Sequence, residues 1–361
     1  MEKKKRNFIA LIIFAFFLLC FLFWFFWQIR SSQKEKISLK KEPTPTVSEE
    51  QKERIFLLTP KEKQILSFWL KGEDFLYFFD KEGSLFKLDL LTSQINPQEV
   101  SFPDVKEIKI SPDKKKLVVF WQRENLPPVL LDLEKKTRRV LAKGISSLDF
   151  SLDSQKIIYL KKENNSSAIF SLNLEDWQEK KIVDFPVLDT SLKVIGEDKL
   201  LLIEKATCLY QGKLYFLDLK EKKISLWLKG EGLEAKVSPK RDKVLVSFGK
   251  ERVLSLYSLL TKELLKNFDF FTLAEKCGFA EEENFLVCAV PEEMDKSYCL
   301  PDDYWKGIVD FSEDILKIDL QEFSKEVLSK NKKSDIIKPF VSKKGIYFLD
   351  RKTQKLYLMP W

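Results

Sequence analysis

Residues Ile108-Lys109-Ile110-Ser111-Pro112-Asp113, followed by Lys116-Leu117-Val118-Val119-Phe120, decide the fold. They read as a strand, a tight polar turn and a second strand. Pro presets φ in the turn, and Ser or Asp satisfies turn amides through its side chain. The pattern recurs. Leu148-Asp149-Phe150-Ser151-Leu152-Asp153 leads into Lys156-Ile157-Ile158-Tyr159-Leu160, and Ala235-Lys236-Val237-Ser238-Pro239-Lys240 leads into Lys243-Val244-Leu245-Val246-Ser247. Weaker copies fill the gaps, so that turns fall near 71, 111, 151, 196, 238, 280 and 342, five intervals of about 40–45 residues and a last of about 62.

A third strand in each copy ends on a small acidic signature, as in Leu85-Phe86-Lys87-Leu88-Asp89-Leu90, Val129-Leu130-Leu131-Asp132-Leu133 and Leu214-Tyr215-Phe216-Leu217-Asp218-Leu219. A more variable fourth strand closes the unit, such as Ile224-Ser225-Leu226-Trp227. Four strands at this period predict an all-β chain folded as a β-propeller of seven four-stranded blades. A lone blade cannot bury both faces of its sheet, so blades stack around an axis. The seventh unit stops at Trp361 without a fourth strand, while Arg54-Ile55-Phe56-Leu57-Leu58-Thr59 is a strand belonging to no unit. Residues 54–59 are therefore expected to complete the last blade and remove an exposed sheet edge.

The repeat resembles that of the TolB-type propeller family, centred on Ser-Pro-Asp before a short apolar strand. Ser111-Pro112-Asp113 matches in full, Ser151-Leu152-Asp153 and Ser238-Pro239-Lys240 in part, and Lys114 stands where the family usually places Gly. The resemblance covers residues 54–361, implies the fold, and carries no active site.

Ahead of the propeller, Phe8 to Trp27 form an unbroken apolar run, long enough as a helix to cross a bilayer. Residues 8–28 are expected to be a transmembrane helix in contact with lipid, residues 1–7 a cytoplasmic tail, and 29–53 a polar linker stiffened at Pro43 and Pro45. Gln28-Ile29-Arg30-Ser31 is no small-residue cleavage site, so the anchor reads as uncleaved. Lys3, Lys4, Lys5 and Arg6 abut the run, whereas Lys34, Lys36, Lys40 and Lys41 lie farther from it. That asymmetry places the N-terminus in the cytoplasm and the propeller outside the cell membrane. Residues 1–30 contribute +4 of the net +7, and the remaining charge is interspersed, which gives no indication of nucleic-acid binding.

The chain of 361 residues contains no histidine. His-based triads, His metal sites and imidazole acid/base chemistry are thereby excluded. No phosphate-binding glycine loop, nucleophile elbow or dinucleotide fingerprint is present, and no cofactor is implied. Asn164-Asn165-Ser166-Ser167 contains glycosylation sequons that matter only in a glycosylating host.

Function, if visible, should lie where a repeat departs from itself, because insertions map to loops. The largest departure runs from Pro291 to Gly307, between the second and third strands of unit six. Tyr298, Tyr304 and Trp305 supply flat apolar area, and Asp302, Asp303 and Lys306 supply polar handles, a mixture suited to a protein or glycan contact. The competing reading is that the loop folds over the channel mouth and its aromatics pack there. Asp302-Asp303 lacks calcium-loop spacing, so no metal is expected from it.

Cys277 and Cys288 bracket one turn on neighbouring antiparallel strands and are expected to pair, a closure worth about 3 kcal/mol in the chain-entropy model. Cys208 and Cys299 both lie in second-to-third-strand connections, hence on one face, and pair if the insertion reaches across. Zinc is the rival for four cysteines, but no C-x₂-C spacing occurs. An exported domain permits both disulfides. These features favour a membrane-anchored extracytoplasmic propeller that binds or scaffolds a protein, peptide or glycan without catalysis. The alternative is an exported glycan-active hydrolase or lyase using carboxylates at the channel mouth. A third is an assembly subunit marked by an exposed apolar patch.

Overall fold

A computed structural model describes residues 55–163, 166–186, 189–331 and 334–361. The anchor segment 8–28 with Cys20, the tail 1–7, the linker 29–53 and the sequon residues Asn164 and Asn165 lie outside the described residues. Among the described residues no helix is long and apolar enough to cross a membrane.

The chain forms seven four-stranded antiparallel sheets. Blade 1 comprises β2 (Ile65–Lys71), β3 (Phe75–Asp80), β4 (Ser84–Asp89) and β5 (Ile95–Ser101). Blade 2 comprises β6 (Val105–Ile110), β7 (Lys116–Trp121), β8 (Val129–Asp132) and β9 (Thr137–Val140). Blades 3, 4 and 5 begin with β10 (Ile145–Phe150), β14 (Thr190–Gly196) and β18 (Leu233–Val237), and each runs through three further consecutive strands. Blade 6 holds β22 (Cys277–Phe279), β23 (Phe285–Pro291), β24 (Glu313–Asp319) and β25 (Lys325–Asn331). Blade 7 holds β26 (Ile336–Ser342), β27 (Gly345–Asp350) and β28 (Leu356–Pro360). Its fourth, outer strand is β1 (Phe56–Leu57), paired antiparallel with β28 through Phe56↔Leu358 and Leu57↔Tyr357. Leu58 N–H adds a hydrogen bond of 2.9 Å to the Leu356 carbonyl.

Burial follows position within the blade. Second strands are covered on both faces: Leu117, Val118 and Val119 are each 0% exposed, as are Val244, Leu245 and Val246. Outer strands are wet, β9 being exposed throughout. The buried apolar side chains fall into seven clusters, one at each interface between adjacent blades. The cluster joining blade 7 to blade 1, with Tyr347 against Phe78 and Leu76, closes the ring. Each fully buried Leu, Val, Ile or Phe contributes about 1.5–3 kcal/mol relative to exposure, so the interfaces carry the domain.

The turn that identified the repeat is a local hydrogen-bond device. Ser111 Oγ accepts the Lys116 N–H at 2.9 Å and donates to Asp113 Oδ1 at 2.5 Å, while Asp113 accepts the Lys115 N–H at 3.0 Å. Ser151 and Asp153 repeat the arrangement in blade 3. In blade 5, where Lys240 replaces the Asp, Ser238 Oγ bonds Asp242 instead at 3.2 Å. The residue after the Asp takes a left-handed conformation, with φ of 59° at Lys114 and 60° at Ser154. That explains the glycine preference at this position: L side chains adopt it at a steric cost. The third-strand aspartates cap the next turn, as Asp89 Oδ1 does by accepting the Leu91 and Thr92 N–H groups at 2.9 and 3.0 Å.

Candidate functional site

The connection between β23 and β24 leaves the sheet after Pro291 and returns at Glu313, with one helical turn, α1 (Asp302–Trp305), inside it. Its path is fixed from three sides. On the blade 4 side, Cys299 is disulfide-bonded to Cys208, and Asp302 Oδ2 accepts the Cys208 N–H at 2.8 Å. Asp303 Oδ2 accepts the Cys299 N–H at 2.8 Å. On the blade 5 side, Arg252 donates to the Tyr298 carbonyl at 2.8 Å and to the Gly249 carbonyl at 2.6 Å. The Leu300 carbonyl lies so close that a Cβ on Gly232 or Gly249 would stand 2.3 or 2.2 Å from it, so the approach requires glycine at both positions.

The third side is a buried ion cluster. Tyr304, fully buried, donates its hydroxyl to Asp335 Oδ1 at 2.6 Å and stacks on Phe311 with ring centroids 5.0 Å apart. Lys276, also fully buried, lies 2.7 Å from Asp335 Oδ1 and 2.6 Å from Glu313 Oε1. Arg351 of blade 7 donates to Asp335 Oδ2 at 2.9 Å and to the carbonyls of Tyr304 and Val309 at 2.8 and 2.7 Å. Burial pushes the Glu313 carboxyl up to about 7 despite Lys276. Asp335, although burial works against its charged form, is held below the usual carboxylate range by Lys276, Tyr304 and Arg351.

The insertion thus roofs one side of a cavity of about 780 Å³ at the axial mouth, walled elsewhere by blades 2 to 5. Asp302, Trp305 and Lys306 line it, together with Glu107, Glu234 and Glu275 of the inner strands and their entry loop. Trp305 is 46% exposed, and its indole N–H donates to Glu234 Oε1. Burial, reinforced by the negative charges of Glu275 and Asp302, pushes the Glu234 carboxyl up to about 8 against the opposing pull of Trp305 and Lys276. A group so poised can donate a proton near neutral pH.

The six residues singled out in this loop therefore separate. Asp302, Trp305 and Lys306 face the cavity. Tyr304 is core and Asp303 is engaged in holding Cys299, while Tyr298 is half-buried against the blade 7–blade 1 cluster. Tyr304 consequently offers no contact surface: its hydroxyl satisfies Asp335, and its ring fills the space under α1. Both disulfides are present, Cys277–Cys288 linking directly opposed residues of β22 and β23. Cys208, Cys299 and Asp302 form the one cluster of potential metal ligands among the described residues, and the disulfide engages both of its sulfurs.

Glu107, Glu234 and Glu275 were missed because nothing in a single strand distinguishes a side chain facing the axis from one facing bulk water. The sequence signal for Glu107 and Glu234 is an acidic residue two positions before a lysine on a first strand, in Glu107-Ile108-Lys109 and Glu234-Ala235-Lys236; Glu275, just before the first strand of its blade, does not carry it.

No family model and no curated protein matches the chain. Solved structures do. An oligogalacturonate lyase from Vibrio parahaemolyticus is similar at a TM-score of 0.62 and 11% identity, over 85% of this chain and 93% of that one. The β-propeller domain of the Trilobed protease from Pyrococcus furiosus is similar at 0.56 and 14% identity, over 83% and 94%. An uncharacterised protein from Listeria monocytogenes gives 0.55 and 14%, over 83% and 95%. At these identities the likeness extends to the fold, and the chain is a seven-bladed β-propeller of four-stranded sheets.

Proposed function

We propose that this protein is a TolB-like, single-pass membrane protein whose propeller stands outside the cell membrane and binds a partner protein or peptide at the axial mouth. The observation that carries the reading is the cavity roofed by a loop that is cross-stitched to three blades yet presents Trp305 half-exposed. Leu126 and Trp305 line the opening and are exposed, and Leu209 and Tyr210, next in sequence to Cys208, and Ile308, just after α1, are exposed large apolar side chains as well. Apolar anchors beside charged walls are the composition of a recognition surface. Two disulfides fit an oxidising compartment and so support export. The apolar rim favours a protein segment over a glycan.

Cross-linking from intact membranes tests it, using the full chain, Trp305→Ala and the double variant Leu209→Ser, Tyr210→Ser. Loss of a specific cross-linked partner in the variants is expected; identical partners in all three chains sink the proposal. A reporter fused after Trp361 tests the orientation, and a cytosolic reporter overturns it.

One observation favours a second reading, a glycan-active enzyme. Glu234 is protonated up to about pH 8 beside the cavity, within electrostatic reach of Asp302 and Glu275, as a general acid would be. Turnover of an acidic or neutral glycan that disappears in Glu234→Gln would establish it in place of pure binding.

A further inference from the structure

The two disulfides sit in unlike surroundings. Cys277 and Cys288 are both 0% exposed inside blade 6. Cys208 is 9% exposed and Cys299 is partly exposed, and their bridge joins two loops 91 residues apart in sequence. Ala206 in one loop, and Pro301 and Asp302 in the other, line the mouth cavity. A carboxylate oxygen of Asp302 and the sulfurs of Cys208 and Cys299 all lie within 4.8 Å of one another. Two thiolates and a carboxylate are a ligand set suited to zinc, and the S–S bond is what denies it to a metal.

The ligand positions do not depend on that bond. Asp302 Oδ2 accepts the Cys208 N–H and Asp303 Oδ2 accepts the Cys299 N–H, each at 2.8 Å, and Arg252 holds the Tyr298 carbonyl at 2.8 Å. Each cysteine backbone is therefore held in place by a carboxylate of α1 whether or not the sulfurs are joined. The two Cα atoms are 5.3 Å apart. Zn–S bonds of about 2.3 Å and Zn–O bonds of about 2.0–2.2 Å put tetrahedral ligand atoms roughly 3.5–3.8 Å from one another. Rotation of the freed cysteine side chains and a carboxylate shift of about 1 Å reach that spacing. Three protein ligands leave the fourth position to water.

We propose that Cys208, Cys299 and Asp302 form a zinc site that the disulfide masks, so that the joint between blade 4 and the insertion is covalent when oxidised and metal-bridged when reduced. Reduction by an external dithiol breaks the Sγ–Sγ bond: two electrons and two protons pass to the cysteines, and the dithiol leaves as its own disulfide. Zinc then displaces the two thiol protons. An attacking thiolate needs access to a sulfur, which the partly exposed bridge gives and the buried Cys277–Cys288 bridge withholds. The site does not rest on the partner binding proposed for the mouth.

The test is zinc uptake by the full-length chain in detergent, reduced with a phosphine and then freed of it, in competition with a chromogenic chelator. Reduced wild type is expected to take up one zinc and release two protons, and the oxidised chain to take up none. Cys208→Ser should abolish uptake. Asp302→Asn keeps an oxygen for the Cys208 N–H but loses the charge, and should weaken binding by at least the ~10-fold that losing even an outer-shell partner costs. No uptake by reduced wild type, equal uptake before reduction, or unchanged affinity in either variant overturns the proposal. If Cys208→Ser does not fold, alkylation of the reduced wild type, mapped by mass spectrometry, decides. Zinc protection confined to Cys208 and Cys299 supports the site, and alkylation of both at the same rate with and without zinc refutes it.

Discussion

Replacing Lys276 by Met probes whether the buried ion cluster holds the insertion to blades 6 and 7. In the native chain its ammonium lies 2.6 Å from Glu313 and 2.7 Å from Asp335, with all three side chains 0% exposed. Methionine fills comparable space and leaves Asp335 with the Arg351 guanidinium but Glu313 with the Ile336 N–H and no cation. Removing one partner from a buried ionic set costs about 3–5 kcal/mol. A domain of roughly 300 residues unfolds with an entropy near 0.6 kcal/mol/K, so the melting temperature should fall by about 5–8 °C. The loss should be greater at pH 8.5 than at pH 6. Glu313, with its carboxyl at about 7, is largely protonated at the lower pH and needs its cation most when ionised. The double variant Lys276→Met, Glu313→Gln should recover more than half of the loss at pH 8.5. Scanning calorimetry at the two pH values, with amide exchange across residues 292–306, reads all of this. A fall below about 1 °C, or a double variant as unstable as the sum of its singles, would show that the cluster is not the fastening described.

The edge strand makes a second test: deleting residues 54–59 should unfold or aggregate the propeller, seen by calorimetry and size-exclusion chromatography, and near-normal melting would refute the clasp. Cys277→Ser with Cys288→Ser should lower stability by about 3 kcal/mol, measured by denaturant titration without reductant. Cys208→Ser with Cys299→Ser should speed amide exchange within residues 292–306 and leave the blade 2 strands unaffected. In the pH dependence, Glu234 and Glu313 have folded-state values of about 8 and 7, above their unfolded value of 4.5. Their contribution is therefore present in full below about pH 4.5 and is lost as pH rises through 7 to 8. Glu234→Gln should match wild type at pH 5 and melt higher at pH 8.5; parallel melting curves at both pH values would contradict the burial assigned to this carboxyl.

What the sequence disclosed follows from the range of the interactions. The Ser111–Asp113 and Ser151–Asp153 turns close within five residues, so side-chain identity alone marks them, and counting them gives the blade number. The left-handed φ at Lys114 was foreshadowed by a departure from the family glycine, but the backbone geometry became visible only in the fold. The pairing of Cys277 with Cys288 was legible because a turn brings them together. For Tyr304 the sequence allows contact surface beside the reading that the loop's aromatics pack, and the choice could not be made from sequence because its partner Asp335 lies 31 residues away in the entry to another blade.

The seam between β1 and β28 has a consequence for biosynthesis. Phe56 and Leu358 are about 300 residues apart, and a ribosome adding about 5–20 residues per second delivers the second roughly 15–60 s after the first. Until then every nascent chain is an open arc whose terminal sheets have no neighbour, whatever the stability of the blades already made. Any quality-control factor that recognises an unsealed arc would therefore act on truncated and unfinished chains alike, and release from it would coincide with the joining of the two ends.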